Sequence, residues 1–147
     1  MEVNAPNYSW EPVAHTADLA IGISASDQVG LFHAALDGLL GIIELPSDLR
    51  DTEKIESHAI ELAGEVIEET LVDFLNECIY IMEVNVRIPI GLDSTEYEDG
   101  SLTADLKCRP IRDVERSEIG HVKAATYSAL EVTHADGTYR ATIIFDT

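Results

Sequence analysis

Two carboxylates stand close together where this sequence ends. Residues 140–145 are mostly apolar, and Asp146 is followed only by Thr147 with its main-chain carboxylate. Two anions held this close repel each other unless a cation or a group of hydrogen-bond donors neutralises them. The pattern therefore indicates either a site for a bound cation or an ordinary exposed strand end.

The tetrapeptide His-Thr-Ala-Asp at residues 15–18 supplies a second candidate ligand. It falls at the turn between two short predicted strands. The carboxylate of Asp18 could bind a cation, or it could only support a tight turn. His15 could belong to the same site, or it could only donate a hydrogen bond to a backbone carbonyl.

Lys123 is brought near the end of the chain by the register of a predicted C-terminal hairpin. With a two- to four-residue turn around residues 136–137, Asp146 falls opposite residues 125–127. Lys123 then projects just beyond the last strand, within reach of the terminal carboxylate. A surface ion pair there, worth about 0–1 kcal/mol, and a functional role beside the carboxylates are both open.

Common catalytic signatures are absent from the sequence. It contains no glycine-rich phosphate loop, no GxSxG motif and no paired-histidine helix motif. Cys78 and Cys108 are isolated, so we expect reduced thiols and no metal site built from thiolates. Cys78 falls on an apolar helical face and is expected to be a small buried side chain rather than a nucleophile.

The chain is strongly acidic, since 28 Asp and Glu against nine Lys and Arg give a formal charge of −19. Phosphate contacts need clustered Lys and Arg, so strong direct binding to nucleic acid is not expected. The charge leaves three interpretations, which are cation binding, a basic protein partner, or a surface kept soluble by repulsion.

The elements that must position these residues follow from hydrophobic periodicity. It predicts an α+β fold with mainly antiparallel sheets, two principal helices and a C-terminal β-hairpin. The first helix is predicted at residues 27–43 with Ser26 as its N-cap, and the second at residues 65–83. Residues 93–100 are predicted to form a loop. Strands are predicted at residues 7–13, 19–25, 54–62, 84–92, 102–108, 121–133 and 138–146.

All 147 residues are expected to form a single domain. No apolar run approaches the roughly 18 residues that a membrane-spanning helix requires. No secretory signal is visible at the N-terminus, so a cytoplasmic location without membrane contact is expected.

An acidic ridge is predicted on the second helix. Glu65, Glu69, Asp73 and Glu77 are spaced four residues apart and therefore share one helical face. The ridge could be a solvated face, or it could dock a basic partner.

Four segments together resemble the archease family. They are the tetrapeptide at residues 15–18, the helical segment 71–77, residues 122–130 and the final segment 143–147. The tetrapeptide alone is weakly specific. Its order with the Val-Lys-Ala-x-Thr-Tyr sequence and with an aspartate one residue before the end is highly specific, and the resemblance runs from His15 to the end.

This resemblance implies a small acidic protein that assists the GTP-dependent tRNA-splicing RNA ligase. Such a protein promotes guanylylation and multiple turnover of the ligase, and is not itself an enzyme. The family's divalent-metal ligands correspond here to Asp18, Asp146 and Thr147, and its lysine to Lys123. Oxygen ligands of this kind suit Ca²⁺, which is the expected ion, as well as Mg²⁺ or Mn²⁺. Lys123 and His15 are expected at the activation or partner site.

Two alternatives belong to other functional classes. The same carboxylates could make the protein a metal-dependent phosphohydrolase, which would turn over a phosphoester without any partner. The protein could instead be a chaperone-like binding module with an exposed apolar patch, and its activity would then survive the loss of Asp18 and Asp146.

Overall fold

The computed structural model describes residues 7–14, 19–44 and 54–147 as an α+β fold with antiparallel sheets, as predicted. The described residues form two α-helices, α1 (Gln28–Ile43) and α2 (Ile67–Glu83), and a 3₁₀-helix at Asp113–Glu118. No helix among them is long and apolar enough to cross a membrane. The strands are β1 (Tyr8–Val13), β2 (Leu19–Ala25), β3 (Glu56–Ala63), β4 (Arg87–Glu98), β5 (Ser101–Pro110), β6 (Ala124–Ala125), β7 (Thr133–Ala135) and β8 (Thr138–Asp146).

The larger, five-stranded sheet is built around β8. Along one side β8 pairs antiparallel with the whole of β2, from Leu19 opposite Phe145 to Ala25 opposite Tyr139. On its other side β8 pairs with two short strands, β6 near its C-terminal end and β7 near its N-terminal end. β1 pairs with the remaining side of β2. The sheet therefore runs β1-β2-β8, and β6 and β7 share the position beyond β8.

The smaller sheet has the order β3-β5-β4. β4 continues to Glu98, so the loop predicted at residues 93–100 is wrong over most of its length. Most of its polar residues lie on the exposed side of this edge strand, whereas Tyr97 turns inward and contacts Phe32, with 5.3 Å between ring centroids. A polar composition thus reflects exposure here and not the absence of a strand.

α1 begins one residue later than predicted, because Asp27 caps it in place of Ser26. Oδ1 of Asp27 accepts a hydrogen bond from the Gly30 amide at 2.7 Å. This satisfies one of the amide groups that have no partner within the first helical turn. The Ser26 amide donates instead to the carbonyl of Asn7 at 2.9 Å.

Two glycines allow α1 to lie close against the larger sheet. A Cβ atom on Gly41 would fall 2.1 Å from Cζ2 of Trp10, and one on Gly38 would fall 2.6 Å from Cδ1 of Ile21. Glycine lowers helix propensity by roughly 1 kcal/mol relative to alanine, so this packing must stabilise α1. The contact with Trp10 also shows that the face of β1 that carries Trp10 points toward α1.

Both helices and both sheets contribute to one hydrophobic core. α1 contacts β1, β2 and β4, while α2 contacts β3, β4 and β6. The two helices meet through Phe32 and Phe74, whose rings are edge to face with centroids 5.7 Å apart. The strand ends described below are therefore held on a single packed framework.

Cys78 and Cys108 are free and buried in this core. Burial raises the pKa of the Cys78 thiol well above its ordinary value, and it raises the pKa of Cys108 to about 11. Both thiols therefore stay protonated near neutral pH, which makes them poor nucleophiles. Cys78 is the small buried side chain that was predicted.

The strand predicted at residues 121–133 is wrong, although the returning strand Thr138–Asp146 has the predicted bounds. Within the predicted range, only Ala124, Ala125 and Thr133 are strand residues paired with β8. Residues 127–132 leave the sheet between them. Two backbone amides of this segment donate to acceptors outside β8. The Val132 amide donates to Oε2 of Glu68 on α2 at 2.9 Å, and the Leu130 amide donates to the carbonyl of Tyr127 at 3.1 Å.

Candidate functional site

Three strand ends meet where β8 finishes. Leu19 opens β2 opposite Phe145, and Ala124 opens β6 opposite Asp146. Because β2 and β6 flank β8 on its two sides, the end of β8 lies between their first residues. Asp146 therefore pairs one residue earlier than the predicted range 125–127, since β6 is a short separate strand and not the continuation of β7.

The backbone places Lys123 beside Asp146. The Lys123 amide donates a hydrogen bond to the Asp146 carbonyl at 2.8 Å, and both residues are exposed. Within the part of the chain that the structure describes, neither the Lys123 ammonium nor the Asp146 carboxylate has an ion-pair partner. Each charged group is thus available to a ligand or to another protein.

Asn76 on α2 holds this arrangement from the helix side. Its Oδ1 accepts from the Ala125 amide at 2.8 Å, and its Nδ2 donates to the Ala125 carbonyl at 3.4 Å. One side-chain amide therefore binds both backbone groups of the residue after Ala124. Asn76 was not among the predicted site residues. Its amide side chain stands between the buried positions Leu75 and Cys78, and a polar group so placed needs hydrogen-bond partners, which was the signal for its role.

Two further contacts attach the segment after β6. Thr126 donates its backbone and hydroxyl hydrogens to the Ile144 carbonyl, both at 2.9 Å. The Tyr127 hydroxyl donates to Oδ1 of Asp73 on α2 at 3.3 Å. Partial desolvation and the charge of Asp73 raise the pKa of Tyr127, so this hydroxyl keeps its proton at neutral pH.

The predicted acidic ridge is shorter than expected and partly engaged. Glu65 precedes α2, which begins at Ile67, so only three of the four acids lie on the helix. Asp73 accepts from Tyr127, and Oε1 of Glu77 lies 4.0 Å from Nε2 of His58. This face is therefore not simply a row of solvated charges.

A buried ion pair anchors the segment that leads to Lys123. The Arg109 guanidinium donates to both carboxylate oxygens of Glu115, at 2.9 and 2.6 Å, and both side chains are almost completely buried. Oε1 of Glu115 also accepts from the Arg112 amide at 2.9 Å. This network fixes the 3₁₀-helix to the end of β5.

The structure describes two of the three residues that were predicted to bind metal. Asp18 and His15 lie outside the described residues, whereas Asp146 and Thr147 lie within them and are exposed. Among the described residues, no group of three or more His, Cys, Asp or Glu could hold a metal ion. Leu19, which follows Asp18 in the chain, pairs with Phe145, the residue before Asp146.

Comparisons with known proteins identify relatives along most of the chain. A sequence model of the Archease protein family (MTH1598/TM1083) matches residues 10–147. A protein archease from Methanosarcina barkeri is 28% identical, covering 93% of this chain and 94% of that protein. A protein archease from Thermococcus gammatolerans is also 28% identical, and the match covers 93% of this chain and 97% of that protein. The crystal structure of an archease and possible chaperone from Thermotoga maritima matches with a TM-score of 0.60 and 26% identity. The match covers 93% of this chain and 96% of that one.

Proposed function

This chain belongs to the archease family, and from that membership we propose that it activates the GTP-dependent tRNA-splicing RNA ligase. The activation consists of faster guanylylation of the ligase and repeated turnover in tRNA splicing or RNA repair. One observation carries the proposal. Three of the segments that resemble the family meet at one end of a sheet, since Asn76 binds Ala125 and Ala124 pairs with Asp146. They are residues 71–77, 122–130 and 143–147.

A divalent-metal site at this end of the sheet belongs to the proposal. Asp18, the Asp146 side chain and the Thr147 carboxylate would hold the ion, with Ca²⁺ expected and Mg²⁺ or Mn²⁺ as alternatives. The exposure of Asp146, and its freedom from ion pairs within the described residues, supports the fit. A bound cation would supply positive charge that offsets the carboxylates and can attract an anionic group of the partner.

Lys123 and His15 are proposed as residues of the partner site. The Lys123 ammonium is exposed and has no ion pair within the described residues, so it can contact a phosphate or a ligase carboxylate. His15 joins this proposal through its place in the tetrapeptide that contains Asp18. The charge of −19 favours association with a basic, nucleic-acid-handling protein and disfavours direct binding of RNA by this chain.

A chaperone-like binding module is the second candidate function. The Thermotoga maritima relative is described as a possible chaperone. In this chain Tyr80, Val84 and Val86 are exposed near the end of α2, at 52%, 57% and 37%. Such a module would act through apolar contacts and would not depend on Asp146.

The deciding experiment mixes the protein with its cognate RNA ligase, GTP and Mn²⁺ and follows guanylylation of the ligase. We expect stimulation by the wild type and its loss in Asp146→Asn. Asp136→Asn is the matched control, because Asp136 is an exposed turn residue at the other end of β8 with φ 54°, a conformation that asparagine tolerates. Absence of stimulation by the wild type would reject the activator function. Full stimulation by Asp146→Asn would favour the chaperone-like module, and phosphoester turnover by the protein alone would favour a phosphohydrolase.

The metal site is tested separately by titrating Ca²⁺ into the purified protein in a calorimeter. Adding Gly-Ser after Thr147 should weaken Ca²⁺ binding, because it moves the terminal carboxylate away from Asp146. The same dipeptide added before Met1 serves as the control, and circular dichroism checks that both proteins stay folded. Unchanged affinity after the C-terminal addition would remove Thr147 from the site.

A further inference from the structure

A polar groove lies on the face of the larger sheet that points away from α1. Trp10 packs against the helix at Gly41, so its neighbours Ser9 and Glu11 project from the opposite face of β1. A cavity of about 500 Å³ opens on that face. Its polar lining includes Ser9, Glu11, Ser24, Glu131, Arg140 and Thr142.

The floor of the groove is kept low by Gly22 in the middle of β2. A Cβ atom at Gly22 would fall 3.2 Å from Cγ2 of Val13 and 3.4 Å from Cγ of Glu11. Glycine inside a strand weakens the strand and often marks a place where another chain or ligand approaches the backbone. Side chains on either side, including the Ser9 and Ser24 hydroxyls 2.9 Å apart, form polar walls.

Arg140 is the cation of this groove. It lies on β8 opposite Ser24 and is exposed, and it has no ion pair within the described residues. Most of the arginines that the structure describes are engaged, for example Arg87 with Glu56 and Arg116 with Asp113. Arg140 therefore presents a guanidinium that is unpaired within the described residues, on a protein of net charge −19. Such a group can bind a carboxylate of another molecule.

The two carboxylates in the lining restrict the occupant. Glu11 and Glu131 face the same cavity as Arg140. One guanidinium beside two carboxylates does not suit the continuous negative charge of a nucleic-acid backbone, which needs clustered cations. A polypeptide segment with an acidic side chain flanked by basic ones matches this charge pattern.

We propose that the groove docks an extended segment of the ligase, with an acidic side chain on Arg140 and basic side chains on Glu11 and Glu131. This inference rests on the proposed function, because it names the docking surface for the same partner. Arg140 and Asp146 lie on the same face of β8, six residues and so about 20 Å apart. The groove therefore holds the partner at a distance from the proposed metal site and does not form part of it.

Charge reversal at Arg140 tests the docking surface. We expect Arg140→Glu to weaken binding to the ligase by at least about tenfold, measured by fluorescence anisotropy, and to leave Ca²⁺ affinity unchanged. Arg116→Glu is the matched control, since it changes the net charge equally at an exposed residue on the 3₁₀-helix. Equal binding by the wild type and Arg140→Glu would overturn the docking site and leave the activator function standing. If the wild type itself does not bind the ligase, both proposals fail.

A photocrosslinking amino acid at Thr142 identifies what occupies the groove. Thr142 lines the groove and is exposed, whereas Thr103, the control position, is exposed on β5 of the other sheet. We expect a crosslink from position 142 to a ligase segment that contains both acidic and basic residues, and none from position 103. A crosslink from position 142 to RNA alone would overturn the proposal.

Discussion

At the residue scale, a buried ion pair and a valine with a left-handed backbone have direct consequences for stability. Arg109 and Glu115 are both nearly inaccessible and joined by two short hydrogen bonds. Val86 has φ 57°, in the left-handed region that β-branched residues rarely adopt, and its side chain is 37% exposed. The first feature stabilises the segment before Lys123, whereas the second costs stability.

Breaking the buried pair should be strongly destabilising. We expect Glu115→Gln to lower the free energy of unfolding by about 3–5 kcal/mol, because the Arg109 charge is then buried without its partner. Urea unfolding measures the change. Asp113→Asn, which breaks the exposed pair with Arg116, should cost no more than about 1 kcal/mol. Equal losses in the two variants would contradict this account.

The same pair predicts a pH dependence. Burial raises the pKa of Glu115, but hydrogen bonds from Arg109 and the Arg112 amide and the charges of both arginines leave it below its ordinary value of 4.5. A folded-state pKa below the unfolded one stabilises the fold above pH 4.5, and this contribution disappears as the pH falls through the folded value. The difference in unfolding free energy between the wild type and Glu115→Gln should therefore shrink below pH 4.5 in urea titrations. A difference that stays constant to lower pH would show that the Glu115 charge does not stabilise the fold.

Replacing Val86 should relieve backbone strain. Val86→Asn is expected to raise the free energy of unfolding by about 1 kcal/mol, since asparagine tolerates the left-handed region better than valine. Val84→Asn is the matched control, because Val84 is also exposed but has an ordinary helical conformation, with φ −98° and ψ −45°. Thermal and urea unfolding measure both variants. A gain of the same size at Val84 would show that removing an exposed apolar side chain, and not relief of strain, stabilises the protein.

At the element scale, α2 positions the site by hydrogen bonds to a chain segment far away in sequence. Three polar side chains of α2 each accept one hydrogen bond from the segment 125–132. Asn76 accepts from the Ala125 amide, Asp73 from the Tyr127 hydroxyl, and Glu68 from the Val132 amide. These contacts divide one predicted strand into β6 and β7. They also give the helical segment 71–77 a direct structural connection to the end of β8 through Ala124 and Asp146.

Loss of the Asn76 side chain should loosen this connection. We expect Asn76→Ala to cost about 1–3 kcal/mol and to speed hydrogen exchange at the Ala125 amide, which loses its acceptor. It should also reduce stimulation of the ligase at a temperature where the variant is folded. Asp73→Ala removes only an exposed contact to Tyr127 and should leave exchange at Ala125 unchanged. Protection of Ala125 that survives in Asn76→Ala would remove Asn76 as the positioning residue.

At the scale of the whole molecule, charge opposes the folded state while the core supports it. A net charge of −19 on 147 residues produces self-repulsion in a compact chain. Salt screens such repulsion, because the Debye length falls to about 10 Å at 0.1 M ionic strength. The same charge should favour approach to a basic partner at low salt.

Added salt should therefore stabilise the protein and slow its association with the ligase. We expect the melting temperature to rise and the association rate constant to fall as NaCl increases from about 0.02 to about 0.5 M. Choline chloride serves as the control salt, because screening depends on ionic strength and not on the cation. A melting temperature that falls with both salts would contradict net self-repulsion. An association rate independent of salt would remove electrostatic attraction from the partner proposal.

Most of the elements could be predicted because their determinants are local. The alternation in β2, the apolar run in β8 and the apolar stripes of α1 and α2 appear directly in the sequence. The helix cap at Asp27 was missed because two adjacent residues, Ser26 and Asp27, could each serve as a cap. In the fold Asp27 caps the helix through Oδ1, and Nδ2 of the distant Asn7 donates to its Oδ2 at 3.0 Å.

The sequence by itself determined the α+β class, the strands β2 and β8 of the candidate site and the acidic charge of the molecule. These follow from periodicity and composition, which act over a few residues or over the whole chain. Only the tertiary structure decided that Asn76 holds Ala125, that β6 and β7 are separate, and that Arg140 lies in a groove with Glu11. Such contacts join residues distant in the chain, and they depend on how the helices and sheets pack around the shared core.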